Sequence, residues 1–311
     1  MRIGVTSLGV SILPETFTRI LQDGGYEAQF YPYTKKEGYS KVPFKDLDVL
    51  WHVGAFFNFD ILFDTVKAKK PSLKTVLWWV GTDILNVANF IRARPKCREC
   101  LFRNIDIHVV DCIDFVSELK EKLEIENAWF VPSIPEKPMS VMPLPPSDEF
   151  TVASYIPPHR TNFYGYPIIV EVARQMPDVW FHLFPSKAVR WNPKVKPPLP
   201  NVRFMPFVEG DEKVEAWSRC SAFISIPVHS GVSITLIEFM QMGRRCISNK
   251  KLPHVFYVDE PPTPDKIISK LKEIMKFKEP NIEASKYYHE EYSPKKVLEH
   301  VNPILEKLSR A

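Results

Sequence analysis

The stretch HSGVSITLIEFMQMG, His229 to Gly243, sets serines and a glycine ahead of an apolar helical run and a carboxylate inside it. The first N–H groups of a helix have no intrahelical acceptor, and together with the positive end of the helix dipole they suit a phosphate. Ser230, Val232 and Ser233 border Gly231, which has no Cβ and lets a ligand come close. Glu238 lies about a turn and a half further in, at ~1.5 Å rise per residue. On its own terms Glu238 is a helix carboxylate, partly exposed or paired with Arg244 or Arg245.

A second group of candidates sits in the proline-bounded loop PPHRTNFYG, where Arg160 supplies a cation for phosphate or is simply solvated. His159 divides evenly between ligand contact and surface, and Lys187 and Arg190 offer the same choice after the strand VWFHLF. In the first half, Asp83 follows WWVG at the carboxyl end of a strand, the edge where α/β folds place ligands. It is read as an exposed carboxylate that serves an acceptor or caps the next helix, with Gly81 just before it. Thr6, Ser7 and Gly9 of TSLG belong to the same edge, whereas Trp78 and Trp79 continue an apolar strand and read as core. Cys97, Cys100, His108 and Cys112 can be written as a zinc site, but structural zinc usually shows two close ligand pairs and CREC stands alone. Ordinary thiols, and no bound metal, are the expectation.

The elements that position these residues alternate. MRIGVTSL, EAQFYPY, DVLWHVG, KTVLWWVG, DIHVVD and NAWFVPS read as strands, with PETFTRILQDGGY and CIDFVSELKEKLEI as helices. SIPEKPMSVMPLPPSDE has five prolines and no period, so it reads as a linker. After it come the strand FTVASYI, helix YPIIVEVARQMPD, strands VWFHLFPS and NVRFMPFV, helix GDEKVEAWSRC, strand SAFISIPV, helix SITLIEFMQMG and strand RRCISN. SPKKVLEHVNPILEKLSR closes the chain as an amphipathic helix. The fold class expected is α/β, with two Rossmann-like domains over 1–134 and 149–285, a linker over 135–148, and a terminal helix over 286–311.

The 311 residues are enough for two cores, and Lys+Arg 41 against Asp+Glu 37 leaves a net charge of +4. That excess is too small to imply nucleic acid, although it permits a peripheral membrane contact. No apolar run approaches the ~20 residues that span a bilayer, and the N-terminus lacks a signal-peptide core. Five cysteines fit reduced thiols, so a cytoplasmic protein is expected, at the inner membrane surface if its acceptor is lipid-linked. No GxGxxG or P-loop is present, which counts against dinucleotide dehydrogenases and P-loop NTPases.

LWWVGTDIL, VVDCIDFVSELKEKLEIENAWFVPSIPE, VASYIPPHRTNFYGYPIIVEVARQMPDVWFHLF and above all NVRFMPFVEGDEKVEAWSRCSAFISIPVHSGVSITLIEFMQMGRRCISNK resemble the GT-B glycosyltransferases. The similarity is to the large retaining family 4-like group. It implies two domains facing across a cleft, with the terminal helix crossing back to the first and closure hinged at the linker and near Tyr287 to Pro294. It also implies transfer of a hexose, with retention and without a metal, from a UDP- or GDP-linked donor to a glycan, lipid-linked or small-molecule acceptor. The nucleotide sugar is a substrate, and no cofactor is implied.

Carried over residue by residue, the resemblance gives His159, Arg160, His229, Ser230, Gly231, Val232, Ser233 and Glu238 to the donor. It gives Thr6, Ser7, Gly9, Gly81 and Asp83 to the acceptor side, with Asp83, Arg160 and Glu238 as the catalytic set. Glu238 matches the second of the two glutamates in the family's donor motif, whose oxygens accept from the ribose hydroxyls. Three positions depart from the pattern: Ser230 stands where the first glutamate is expected, Val80 where a histidine often precedes the glycine, and Ser154 where a phosphate-binding arginine ends the strand. Those departures keep two other readings open, a non-catalytic GT-B-like protein that binds a nucleotide or a partner, and an epimerase acting on the donor alone.

Overall fold

A computed structural model describes residues 1–7, 12–32, 38–39, 41–55, 59–146, 149–187 and 189–310. The chain forms two compact units, Met1–Glu136 with Tyr292–Ala311, and Lys137–Glu291. The first unit contains β1 (Arg2–Ser7), α1 (Ile12–Asp23), β2 (Glu27–Pro32), β3 (Val49–Val53), α2 (Phe59–Lys69), β4 (Lys74–Trp79), α3 (Asp83–Ala93), α4 (Arg98–Phe102), β5 (Ile107–Val110), α5 (Asp114–Leu123) and β6 (Ala128–Phe130). Its strands pair in parallel in the order β2-β1-β3-β4-β5-β6. Every residue of β3 is buried, and in β4 all but Lys74 are, as expected of strands covered on both faces. Trp51, Trp78 and Phe17 form an aromatic group in this core, so Trp78 packs inside the sheet's cover and presents no platform to a ligand.

The second unit contains β7 (Thr151–Tyr155), α6 (Tyr166–Gln175), β8 (Trp180–Phe184), β9 (Val202–Phe204), α7 (Gly210–Ser218), β10 (Ala222–Ser225), α8 (Ile234–Gln241), β11 (Arg245–Ser248), β12 (Phe256–Tyr257), α9 (Pro264–Ile274) and α10 (Ile282–Glu291). Its parallel sheet runs β12-β11-β10-β7-β8-β9, over a core that includes Val152, Phe181, Ile224, Ile247 and Leu271.

Part of the proline-rich stretch, read from sequence as a linker, belongs to this second unit. Arg244 is fully buried and donates to the carbonyls of Met142 and Pro143 at 2.8 Å each and of Ser218 at 3.0 Å. Met139 N–H adds a bond to Gln241 Oε1 at 3.1 Å. Prolines leave backbone carbonyls without a ladder partner, and a buried guanidinium satisfies several at once.

The last helix, α11 (Pro294–Arg310), returns to the first unit. Val297, Val301, Ile304, Leu305 and Leu308 enter the same core as α1, and Tyr26 Oη donates to Asn302 Oδ1 at 2.9 Å. Gly24 marks the closeness of the fit, because a Cβ there would stand 2.7 Å from Leu298.

Candidate functional site

In each sheet the chain reverses its direction of travel beside its first strand, and ligands of open α/β sheets bind at the carboxyl ends of strands flanking such a switch. In the first unit the switch lies between β1 and β3, where Thr6 pairs in register with His52 and its hydroxyl lies 2.9 Å from His52 Nδ1. Both are buried, and burial pushes the His52 pKa down to about 3 against a hydrogen bond to the Gly54 backbone. Ser7 is buried next to Thr6, and Gly9 lies outside the described residues.

Asp83 differs from its sequence reading as an exposed carboxylate, being only 1% accessible. Its oxygens accept from the backbone N–H groups of Ala55 at 3.0 Å, Val80 at 2.8 Å and Ile84 at 2.9 Å. The carboxylate therefore stitches the end of β3 to the turn that opens α3, nearer to the capping alternative than to a group presented to solvent. Burial raises its pKa to about 7, opposed by those same N–H groups. Gly81, in the turn with φ of 65°, takes the left-handed backbone that this tight passage needs.

In the second unit the switch lies between β7 and β10. A cavity of about 160 Å³ opens there, lined by Tyr155, Tyr164, Ser225, Ile226, Pro227, Ser230 and Ser233. Since a single water needs only about 10–15 Å³ by this measure, the space is sized for a ligand group. Ser233 caps α8 by accepting from Leu236 N–H at 3.4 Å, so the opening of the helix falls at the cavity wall. Ser230 donates to the Gly231 carbonyl at 2.7 Å. His229 and Val232 are half-buried, and Gly231 is buried.

The loop carrying Tyr164 is fixed to the β10–α8 connection from two directions. Val228 N–H donates to Phe163 O at 2.8 Å, and Gly165, with φ of +78°, packs so closely that a Cβ would meet Ile226 Cγ1 at 2.7 Å. Arg160 and His159 are exposed in a short 3-10 turn of this loop, with the Arg160 guanidinium 4.6 Å from the Phe163 ring centre. Burial raises the Tyr164 pKa, with Arg160 pulling in the opposite direction. Tyr155 is pushed up to about 12 by burial and by Tyr164, while a hydrogen bond to Ser186 acts against that.

Glu238 is 3% accessible in the second turn of α8, and its Oε1 accepts from Lys213 Nζ of α7 at 2.7 Å. The pairing with Arg244 or Arg245 weighed from sequence is not the one formed, since Arg244 binds carbonyls and Arg245 donates to Glu279 O at 2.7 Å. Ser154, at the position where an arginine was expected, is buried and donates to Ile224 O at 2.8 Å. Lys187 pairs with Glu209 at 2.9 Å, and Arg190 lies over Phe207.

Sequence reasoning missed Lys213, Tyr155, Tyr164 and His52. The usable signals were a Lys213/Trp217 pair at helical spacing and polar residues near the carboxyl ends of two apolar strands, His52 in β3 and Tyr155 in β7. Among the described residues no group of three or more His, Cys, Asp or Glu is placed to hold a metal ion, and the five cysteines are free. No helix among them is long and apolar enough to cross a membrane.

No protein-family model matches the sequence, and no curated protein matches it either. Solved structures do match in shape. Sucrose-phosphate synthase from Thermosynechococcus elongatus superposes with a TM-score of 0.75 at 9% identity over 100% of both chains. Anabaena HepE in complex with UDP and glucose gives 0.69 at 10% identity, over 98% of this chain and 99% of that one. The pneumococcal O-GlcNAc transferase GtfA in complex with UDP and GlcNAc gives 0.55 at 11% identity, covering 90% and 61%. The fold is that of the GT-B glycosyltransferases.

Proposed function

We propose that this GT-B chain is a glycosyltransferase that moves a hexose from a nucleoside diphosphate donor to a glycan, lipid-linked or small-molecule acceptor, with retention and without a metal. The observation that carries the proposal is the cavity at the β7/β10 switch, bounded by the Ser233-capped start of α8 and followed in the same helix by the buried Glu238. The helix start receives the diphosphate, and Glu238 accepts from the ribose hydroxyls of a UDP or GDP moiety. That two similar structures are complexes with UDP supports the choice of ligand class. The acceptor is assigned to the carboxyl edge of the first sheet, at Thr6, Ser7, Gly9 and Gly81.

In the transfer, the acceptor oxygen bonds to the anomeric carbon on the face that the diphosphate leaves. The acceptor proton passes to the departing phosphate oxygen, so no protein nucleophile is needed. Donors aimed at the developing phosphate charge lower the barrier. Asp83, fully engaged with three backbone N–H groups, holds the acceptor edge in shape, and Arg160 neutralises phosphate.

A second reading, nucleotide binding without transfer, is favoured by one observation. Ser154 spends its hydroxyl on Ile224 O inside the sheet and offers nothing to a phosphate. Thermal shift of wild type and Glu238→Ala against UDP, GDP, ADP and their sugar conjugates, followed by product analysis with added acceptors, tests both. A shift lost in the variant together with glycoside formation supports transfer; a shift without turnover selects the second reading, and no shift with any nucleotide removes both.

A further inference from the structure

The cavity at the β7/β10 switch contains no charged side chain, and five of its seven lining residues carry hydroxyls. An anionic ligand placed there must be met by neutral donors, with any positive charge supplied from beyond the wall. Of those five hydroxyl groups, several are already committed to the protein. Ser230 donates to Gly231 O and Tyr155 hydrogen-bonds to Ser186, while Ser233 is engaged as an acceptor, taking Leu236 N–H as the cap of α8. Tyr164 stands apart, because it follows Phe163, over whose ring the Arg160 guanidinium lies 4.6 Å from the centre, and Arg160 acts on it electrostatically. Its ring is held in T-shaped contacts with Tyr155 at 5.5 Å and with Phe163 at 5.3 Å, and the loop that bears it is tied down by the Val228–Phe163 bond.

Resting on the reading of this cavity as the donor site, we infer that Tyr164 is a ligand-contacting residue whose O–H donates to the diphosphate, with Arg160 beside it supplying the positive charge that the cavity wall lacks. A phenol held protonated by burial is a donor throughout the neutral and mildly alkaline range. A hydrogen bond to a charged oxygen is also stronger than one between neutral groups. The arrangement separates two tasks, hydrogen bonding by a fixed neutral group and charge compensation by an exposed guanidinium. It predicts a ligand preference that follows phosphate content and falls with salt through Arg160 alone.

The test is titration calorimetry on the full chain with UDP, GDP and ADP, and with the monophosphate and nucleoside of whichever diphosphate binds. The expected result is that Tyr164→Phe weakens the diphosphate about tenfold, as the loss of one hydrogen bond to a charged group should, and leaves the nucleoside within about twofold. Arg160→Ala is expected to weaken the diphosphate and flatten its salt dependence, again sparing the nucleoside. The nucleoside also reports whether each variant is folded. Unchanged diphosphate affinity in Tyr164→Phe overturns the inference while leaving the donor site standing, and so does an equal loss for nucleoside and diphosphate, which would make the ring a packing element. Failure of the wild type to bind any of the three diphosphates overturns the donor site and the inference together.

Discussion

Lys213 in α7 places its Nζ 2.7 Å from Glu238 Oε1 in α8, joining two helices across 25 residues of sequence. The Lys213 side chain retains 24% of its exposure and the Glu238 side chain 4%, so the carboxylate is the more buried member of the pair. Removing one partner leaves the other charge poorly compensated in a low-dielectric setting.

Lys213→Met is expected to destabilise the second unit by about 1–3 kcal/mol, less than for a fully buried pair because Lys213 is partly solvated. Glu238→Gln, which removes the charge and keeps the shape, should cost less. Urea unfolding of both singles and the double completes the cycle. Strict additivity within about 0.5 kcal/mol would show that the contact carries no coupling.

The pH dependence follows from four groups, the buried His52 and Asp83 and the half-buried His108 and His182. His52, His108 and His182 have pKa values lowered to about 3, 4 and 4 by burial, so they stay neutral in the folded chain while the unfolded chain takes up protons below about 6.5. Their contribution is lost as pH falls from about 6.5 to about 4 for His108 and His182 and to about 3 for His52. Asp83 has the opposite sign, since its folded pKa is raised to about 7; its contribution is full below about 4 and is lost as pH rises through about 7. The stability difference between wild type and Asp83→Asn should therefore shrink steadily from pH 4.5 to 7.5. A difference that stays flat over that range, measured by urea midpoints, would refute the assignment.

Gly165→Ala meets two obstacles, a positive φ and a Cβ 2.7 Å from Ile226 Cγ1 with backbone O at 3.1 Å. A cost of about 2–4 kcal/mol is expected from the left-handed backbone and the overpacking together. Because Ile226 lines the cavity, nucleotide affinity should fall as well. A thermal midpoint within a degree of wild type would mean that the loop yields freely.

Arg244→Met strands the carbonyls of Met142, Pro143 and Ser218. At about 1–3 kcal/mol for each buried acceptor left unpaired, a loss of at least about 2 kcal/mol is expected, and Arg244→Lys should not rescue it because an ammonium lacks the planar fork. Limited proteolysis gives the local readout, with new cleavage between residues 137 and 146. Protection equal to wild type would show that the prolines hold this segment unaided.

The strands were legible because parallel strands buried on both faces read as apolar runs; YPIIVEVARQMPD and GDEKVEAWSRC likewise announced α6 and α7. The start of a helix near Ser230 to Ser233 and the carboxyl-edge position of Asp83 followed from local rules. What stayed hidden was pairing at a distance. Nothing near Glu238 in sequence points to Lys213, and the burial of Asp83 depends on Ala55, 28 residues away. The proline-rich stretch has no period of its own, so its attachment to Arg244 could not be seen from composition. Tyr164 was passed over because an aromatic in a loop carries no spacing signal until the cavity exists.

The return of α11 to the first unit has a consequence for synthesis. On the ribosome, β1 to β6 emerge first, yet Val297, Val301, Ile304, Leu305 and Leu308 of their core emerge last. Residues 137–291 form an uninterrupted unit and are complete before that helix is translated. The nascent first half must carry an uncovered apolar face beside Tyr26 and Gly24 until α11 is made, which reverses the usual order in which domains mature.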